Sequence, residues 1–212
     1  MRREFTQFGV GQPMRVIGRS LMAVALAAPM FGCTQAQTTG VSPAFLIVDS
    51  MRAASGATPT QFGGFLESDV VTNGGVFEDS GRVEFRLAMK DPGTADSPTT
   101  PSSLNFITVN RYRVQFIRSD GRNTPGVDVP YGFDGGLTAT VGASGATATV
   151  VLVRAQAKLE SPLAALATGG AGVISTIAQI TFYGSDQAGR EVSVNANVSV
   201  NFANWADPAG GD

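Results

Sequence analysis

Residues 192–202 constrain this chain more than any other stretch. Val192, Val194, Ala196, Val198, Val200 and Phe202 make an unbroken apolar row, and Ser193, Asn195, Asn197, Ser199 and Asn201 make an equally unbroken polar one. A sustained period of two is a strand with one face buried and the other in water. The segment before it repeats the pattern with Ala178, Ile180 and Phe182. If both rows face one core, Phe182 opposes Val194, and opposed residue numbers sum to an even number. Asp186 opposite Arg190 meets that condition and leaves Gln187-Ala188-Gly189 as the loop. A three-residue loop wants a left-handed residue at its last position, and Gly189 stands there. Pattern and turn chemistry thus specify one hairpin.

Shorter pieces carry the same signature. Pro43 introduces a strand at residues 44–48. Residues 51–75 read as an irregular excursion with one short strand, its core plugs Phe62, Phe65, Val70 and Val71. Val83, Phe85, Leu87 and Met89 alternate with charged neighbours, which predicts a half-buried strand. Residues 91–103 are a Pro/Ser/Thr loop. Residues 104–118 change parity: Ile107 and Val109 share one face, and Tyr112, Val114 and Phe116 share the other. A bulge near Asn110-Arg111 reconciles them. Residues 119–136 are rich in turns. Residues 137–141 and 146–154 are expected to pair as a hairpin around Gly142-Ala143-Ser144-Gly145. Residues 160–166 are the one helical piece, with Ser161 as cap, Pro162 in the first turn and Gly169-Gly170 beyond its end. About eight strands and a short helix predict an all-β, two-sheet antiparallel sandwich over residues 43–206, with residues 207–212 as a tail.

A second apolar feature lies upstream. Arg15 and Arg19 precede an uncharged run at residues 21–31. That run is well short of the roughly 20 residues of a membrane span, and its charged start and small residues describe an export signal. The start is Met1 or Met14, since the leader from Met14 is already adequately charged. The run ends in Met30-Phe31-Gly32-Cys33, which resembles the lipobox of bacterial lipoproteins. The resemblance implies that residues 1–32 are removed, that Cys33 carries lipid, and that residues 33–42 tether the domain to the membrane. Thr34 is not the aspartate that retains such proteins in the inner membrane. The resemblance therefore implies an outer-membrane anchor, facing the periplasm.

Composition then removes whole classes of function. The leader holds four of the 15 basic and one of the 17 acidic residues, so the mature chain carries a net charge of −5. A mildly acidic chain has no electrostatic footprint for nucleic acid. It contains no histidine, the commonest general base and neutral metal ligand. With Cys33 lipidated there is no thiol nucleophile and no disulfide. No cofactor is expected.

Asp186-Gln187-Ala188-Gly189 followed by Glu191-Val192-Ser193-Val194 resembles the closing hairpin of bacterial immunoglobulin-like domains. The resemblance implies an immunoglobulin-like antiparallel β-sandwich, here with one short connecting helix, carried by a bacterial lipoprotein. That family's disulfide and core tryptophan are absent, and Trp205 sits in the tail. No activity comes with the resemblance.

Candidate sites follow from residue type and placement. The pairs Asp91/Asp96, Glu78/Asp79 and Asp128/Asp134 lie in turn-rich sequence, where aspartate bonds its own backbone, so catalysis is not expected. In immunoglobulin-like sandwiches the loop after Lys90 and the Asp186 tip share one end. Asp91, Asp96 and Asp186 are therefore calcium candidates, although their spacing matches no named calcium loop. Arg122, Asp128, Tyr131 and Phe133 fall in a long loop with the residue types of binding hot spots; the alternative is that Tyr131 and Phe133 plug the open end of the sandwich. Asn195 and Asn197, facing Thr181 and Gln179 with Tyr183 beside them, make a polar, uncharged patch on a strand without protective charges after Glu191. That strand is central, covered by the first strand near residues 45–48, or open to a partner that adds a strand. These features describe a non-catalytic binding or scaffolding module at the cell envelope, holding a protein or glycan partner. The alternative is a purely structural subunit of an envelope or surface assembly; an enzyme ranks third.

Overall fold

A computed structural model describes residues 41–168, 172–205 and 207. The leader, Cys33 and Gly169-Gly170 lie outside the described residues. In chain order the elements are β1 (Ala44–Ala54), β2 (Phe65–Asp69), β3 (Asp79–Met89), the two-residue strands β4 (Gly93–Thr94) and β5 (Ser97–Pro98), β6 (Ile107–Ile117), β7 (Phe133–Val141), β8 (Ala146–Val153), a one-turn helix α1 (Ala155–Lys158), β9 (Ile174–Asp186) and β10 (Glu191–Ala203). Short 3-10 turns occupy Ser103–Asn105 and Leu163–Leu166.

Two sheets form an all-β sandwich. One has the order β1-β3-β8 and the other β2-β10-β9-β6-β7; β4 and β5 pair only with each other. Lettered by the immunoglobulin plan, β1, β3 and β8 take the places of strands A, B and E. β10, β9 and β6 take those of G, F and C, with β7 beside C as strand C′. The long hairpin has the register that its alternation requires: Phe182 opposes Val194, and Gly189 turns the chain at φ +78°. The parity change in β6 is a bulge, between Val109 and Arg111 on both of its sides.

Five expectations need correction. The sheet is not wholly antiparallel, because β2 runs parallel to β10, with Phe65 beside Ser199 and Ala203 beside Asp69. This orientation puts Leu66 in the core at 2% exposure and leaves Phe65 on the surface at 58%, so Phe65 is no core plug. β1 lies alongside β10 but does not pair with it, because it bonds β3 in the facing sheet. The expected hairpin of residues 137–154 is a crossing between sheets: β7 pairs with β6, whereas β8 pairs with β3. Finally, Ser161 caps no helix. The 3-10 turn follows Pro162 without a side-chain cap, and the α-helical turn is spent earlier, on residues ending at Lys158.

The core explains how the fold closes without a disulfide. In the immunoglobulin plan a disulfide joins strands B and F, and a tryptophan on strand C packs against it. Here Phe85 on β3 meets Phe182 on β9 edge to face, with ring centroids 5.0 Å apart. Tyr112 on β6 packs against Phe182 at 6.3 Å and donates no covalent link, but its hydroxyl accepts the Val151 N–H of β8 at 3.1 Å. Three aromatic side chains thus bridge the sheets where that plan has two cysteines and a tryptophan. Burial of each such side chain stabilises the fold by about 1.5–3 kcal/mol.

At one end of the sandwich a charge pair is sealed inside. Lys158 Nζ lies 2.9 Å from Asp79, with side-chain exposures of 1% and 0%. Lys158 also donates to the Asp69 carbonyl at 2.8 Å, while Ser68 and the Gly56 amide donate to Asp79 at 2.6 and 2.8 Å. Burial pushes the Asp79 carboxyl above its ordinary value, and the Lys158 ammonium is the strongest influence pulling it back. The pair ties the residues after β8 to the start of β3 and the end of β2.

Candidate functional site

The outer face of the five-stranded sheet is set by alternation and by one bulge. Even-numbered residues of β10, of β9 and of β6 after its bulge are core, so their odd-numbered neighbours face solvent. The bulge shifts β6 by one residue and so brings Arg111 and Arg113 onto that solvent face. Register then lines the face up in rows. Ser193, Tyr183 and Arg111 form one, Asn195, Thr181 and Arg113 the next, and Asn197, Gln179 and Gln115 a third. Ser199, Ile177 and Ile117 form the fourth.

Arg111 is the focus of the first row. Its guanidinium lies over the Tyr183 ring, 3.9 Å from the centroid, and bonds Asp134 on β7 at 3.2 Å. Arg113 reaches the other oxygen of the same carboxylate at 3.4 Å. Two cations share one anion, so the face keeps a positive centre within its amide and hydroxyl surroundings. Beside the stack, a groove of about 510 Å³ is lined by Arg111, Tyr183, Ser185, Glu191, Ser193 and the bulge residue Asn110. It offers a guanidinium, a phenol, two hydroxyls, an amide and a carboxylate within one concave surface. Such a set fits hydrogen bonding to a polyhydroxylated or amide-rich ligand.

A second groove of about 400 Å³ lies toward the other end of β6, between Gln115 and Ile117 on the strand and Asn123, Pro130 and Tyr131 in the loop. The loop folds on itself: Gly126 donates to the Val129 carbonyl at 2.8 Å, and the Tyr131 ring packs against Gly126 so closely that a Cβ there would lie 2.3 Å from its hydroxyl. Tyr131 remains 52% exposed. Asp128 accepts the Thr124 N–H at 3.2 Å, and Arg122 binds Asp120 at 3.1 Å. Hydrogen bonds from Arg118, and after it from Arg122, hold the Asp120 carboxyl well below the usual carboxylate range. Phe133 is not in the loop. It heads β7, is buried, and packs edge to face with Tyr112 at 6.3 Å under the Arg154 guanidinium, so no partner can reach it.

Asn195 and Asn197 are exposed on the outer face as their period requires, and are brought together with Gln179 and Thr181. Asp91, Asp96 and Asp186 are not brought together: among the described residues no group of three or more acidic side chains is placed to hold a metal. Asp91 accepts the Gly93 N–H at 3.0 Å, a local turn bond. Asp186 is buried and its oxygens are used within the hairpin, by the N–H groups of Ala188 and Arg190 at 2.9 and 3.0 Å and by the Arg190 side chain at 2.7 Å. Burial alone would raise its carboxyl, but these bonds outweigh it and hold the group below its ordinary value. Cys33 lies outside the described residues.

Residue type alone does not mark Arg111 and Arg113; the parity change at Asn110-Arg111 is the sequence signal for their place on the outer face. No protein-family model, curated protein or solved structure matches the chain.

Proposed function

We propose that the chain is an exported lipoprotein, anchored through Cys33 to the outer membrane on its periplasmic side, and that its sandwich is a non-catalytic binding or scaffolding module for a protein or glycan partner. The observation that carries this reading is the outer face of the five-stranded sheet, where Arg111 stacked on Tyr183 borders a polar groove and rows of uncharged amides and hydroxyls. Arginine and tyrosine are both among the residue types enriched at binding hot spots. Amides and hydroxyls beside it supply directional bonds without a strong charge requirement.

The experiment uses the mature chain with Cys33→Ser. It should be retained by purified envelope fractions, either cell-wall glycan or solubilised membrane protein. Replacing both Arg111 and Tyr183 by alanine should reduce retention about tenfold or more with the melting curve little changed. Undiminished retention by that variant removes the outer face from the reading. Intact mass of the native protein checks the anchor, and an unmodified Cys33 overturns it.

A further inference from the structure

β10 is bonded on both sides over only part of its length. β9 pairs with it from Glu191 to Phe202, but β2 covers its other side only from Ser199 to Ala203. The turn fixes where each backbone group points. Asp186 donates its N–H to the Arg190 carbonyl at 3.0 Å, so this is a hydrogen-bonded pair, and such pairs alternate along an antiparallel ladder. Val192, Val194 and Ala196 therefore bond to β9. Glu191, Ser193, Asn195 and Asn197 turn N–H and C=O to the other side. Ala203, of the same parity, accepts the Val70 N–H on that side at 2.9 Å, which agrees with this assignment. Among the described residues, no hydrogen bond reaches the outward groups of residues 191–197.

We propose that this open stretch receives an extended peptide segment of a protein partner, added as a sixth strand to the five-stranded sheet. The proposal rests on the binding-module reading and names its partner class. Free backbone donors and acceptors at alternate residues of a strand are matched by another backbone. The slot is bounded: β2 closes it at Ser199, and residues 191–198 span about 26 Å at ~3.3 Å per residue. Its lining sets the pattern of the incoming strand. On the inner side, half-buried Val192 borders a small hollow of about 190 Å³ with Leu46 and exposed Phe45 of the facing sheet, Val41 just before it, and Lys90 and Glu191 at its polar margin. On the outer side stand Ser193, Asn195 and Asn197. The match is a strand with apolar residues alternating with small hydroxyl residues, and a basic residue at the end near Glu191. The edge carries no lysine, proline or bulge from Val192 to Val198, the devices that keep strands from pairing.

The probe is a capped nonapeptide of alternating valine and threonine with two terminal lysines, added to the mature chain carrying Cys33→Ser. Hydrogen exchange, read by NMR, should be fast at the Ser193, Asn195 and Asn197 amides of the free protein. Saturating peptide should slow these three about tenfold or more, and leave the already protected Val194 and Ala196 unchanged. The same peptide N-methylated at alternate amides should do nothing. Asn195→Pro removes one outward donor without touching the bonds to β9, a position where an edge strand accepts proline, and should abolish the effect. If that variant does not fold, the N-methylated peptide supplies the same control. Slow exchange in the free protein overturns the proposal; if the protection grows with protein concentration, a second copy fills the edge. Protection by the N-methylated peptide, or by neither peptide, also overturns it. If the peptides fail while envelope retention still depends on Arg111 and Tyr183, strand capture falls and the binding-module reading stands.

Discussion

Two turns of this molecule look alike and do different things. The turn after β7 ends in Gly145 and the turn after β9 ends in Gly189, both at φ +78°. Each closes with a local backbone bond, Gly145 N–H to Gly142 at 3.1 Å and Gly189 N–H to Asp186 at 2.9 Å. Beyond Gly189 the chain returns along its own strand for the full length of a hairpin. Beyond Gly145 it leaves the sheet and pairs with β3 on the opposite side of the core. Alternation does not separate the two cases, since a β7–β8 hairpin would also face its apolar rows one way. Closure of the sandwich separates them. If β8 stayed with β7, β1 and β3 would be a two-stranded ribbon, too narrow to cover the core of the other sheet. A turn motif specifies the turn, and the distant demand for coverage assigns the strand.

The largest expected effect removes what holds β8 in its sheet. Lys158→Met strips the counter-charge from buried Asp79 and should cost about 3–5 kcal/mol, the usual loss when one member of a buried ion pair is deleted. Combining it with Asp79→Leu should recover much of that loss, because two apolar side chains need no pairing. Urea unfolding of the singles and the double measures the coupling. A Lys158→Met variant as stable as wild type would show that the pair does not commit β8 to β3.

The two glycines come next, as a matched pair. Gly189→Ala should cost about 1–2 kcal/mol, the strain of a side chain in the left-handed region. Gly145→Ala carries that strain and a second one, since its Cβ would lie 2.5 Å from the Phe85 carbonyl oxygen. Backbone atoms do not yield as a side-chain tip does, so the loss should reach about 3 kcal/mol. Thermal unfolding of the two variants side by side is the measurement. Equal losses would mean that the crossing turn is no tighter against β3 than a free hairpin tip.

What the sequence made legible divides along the same line. The β9–β10 register, the Gly189 turn and the β6 bulge depend on local pattern, and each is where its residues indicate. Asn195 and Asn197 follow from the same alternation. The β7–β8 crossing and the parallel docking of β2 depend on strands far apart in the chain, which no local period encodes. Lys158 was hidden for a related reason. A lysine is ordinarily a surface residue, and its burial follows only once Asp79, distant in sequence, is known to sit beside it. Phe133 has the residue type of a binding contact, but its place at the head of β7 turns it into core.

Asp186 sharpens the comparison on the hairpin side, because the crossing turn has no counterpart to it. Its carboxylate gathers two backbone N–H groups and the Arg190 guanidinium. Asp186→Ala should cost about 1–2 kcal/mol near neutral pH. The folded carboxyl is held below its ordinary value of 3.8, so its contribution is complete above that value and fades as pH falls through the folded one. Acid unfolding curves should therefore converge for wild type and Asp186→Ala at low pH, separate as pH rises toward about 4, and stay a constant distance apart above it. A gap independent of pH would assign the loss to packing instead of charge.

The smallest effect belongs to Gly142, at the other end of the crossing turn. A Cβ there would meet the Phe106 ring at 3.1 Å, closer than ordinary contact but against a side chain and not a backbone. Gly142 does not have the positive φ of Gly145, so alanine brings no left-handed strain. Phe106 is only half-buried, and its ring can shift by the few tenths of an ångström required. Replacing a flexible glycine also narrows the unfolded ensemble, which favours the variant by about 0.4–1 kcal/mol where the conformation suits. The two effects oppose each other, so Gly142→Ala should change stability by less than about 1 kcal/mol. Within one turn, then, the first glycine should tolerate a methyl group and the last should not. A large loss at Gly142 would mean that the crossing is held from the Phe106 side as tightly as from Phe85, and that the whole turn, not Gly145 alone, distinguishes it from the hairpin.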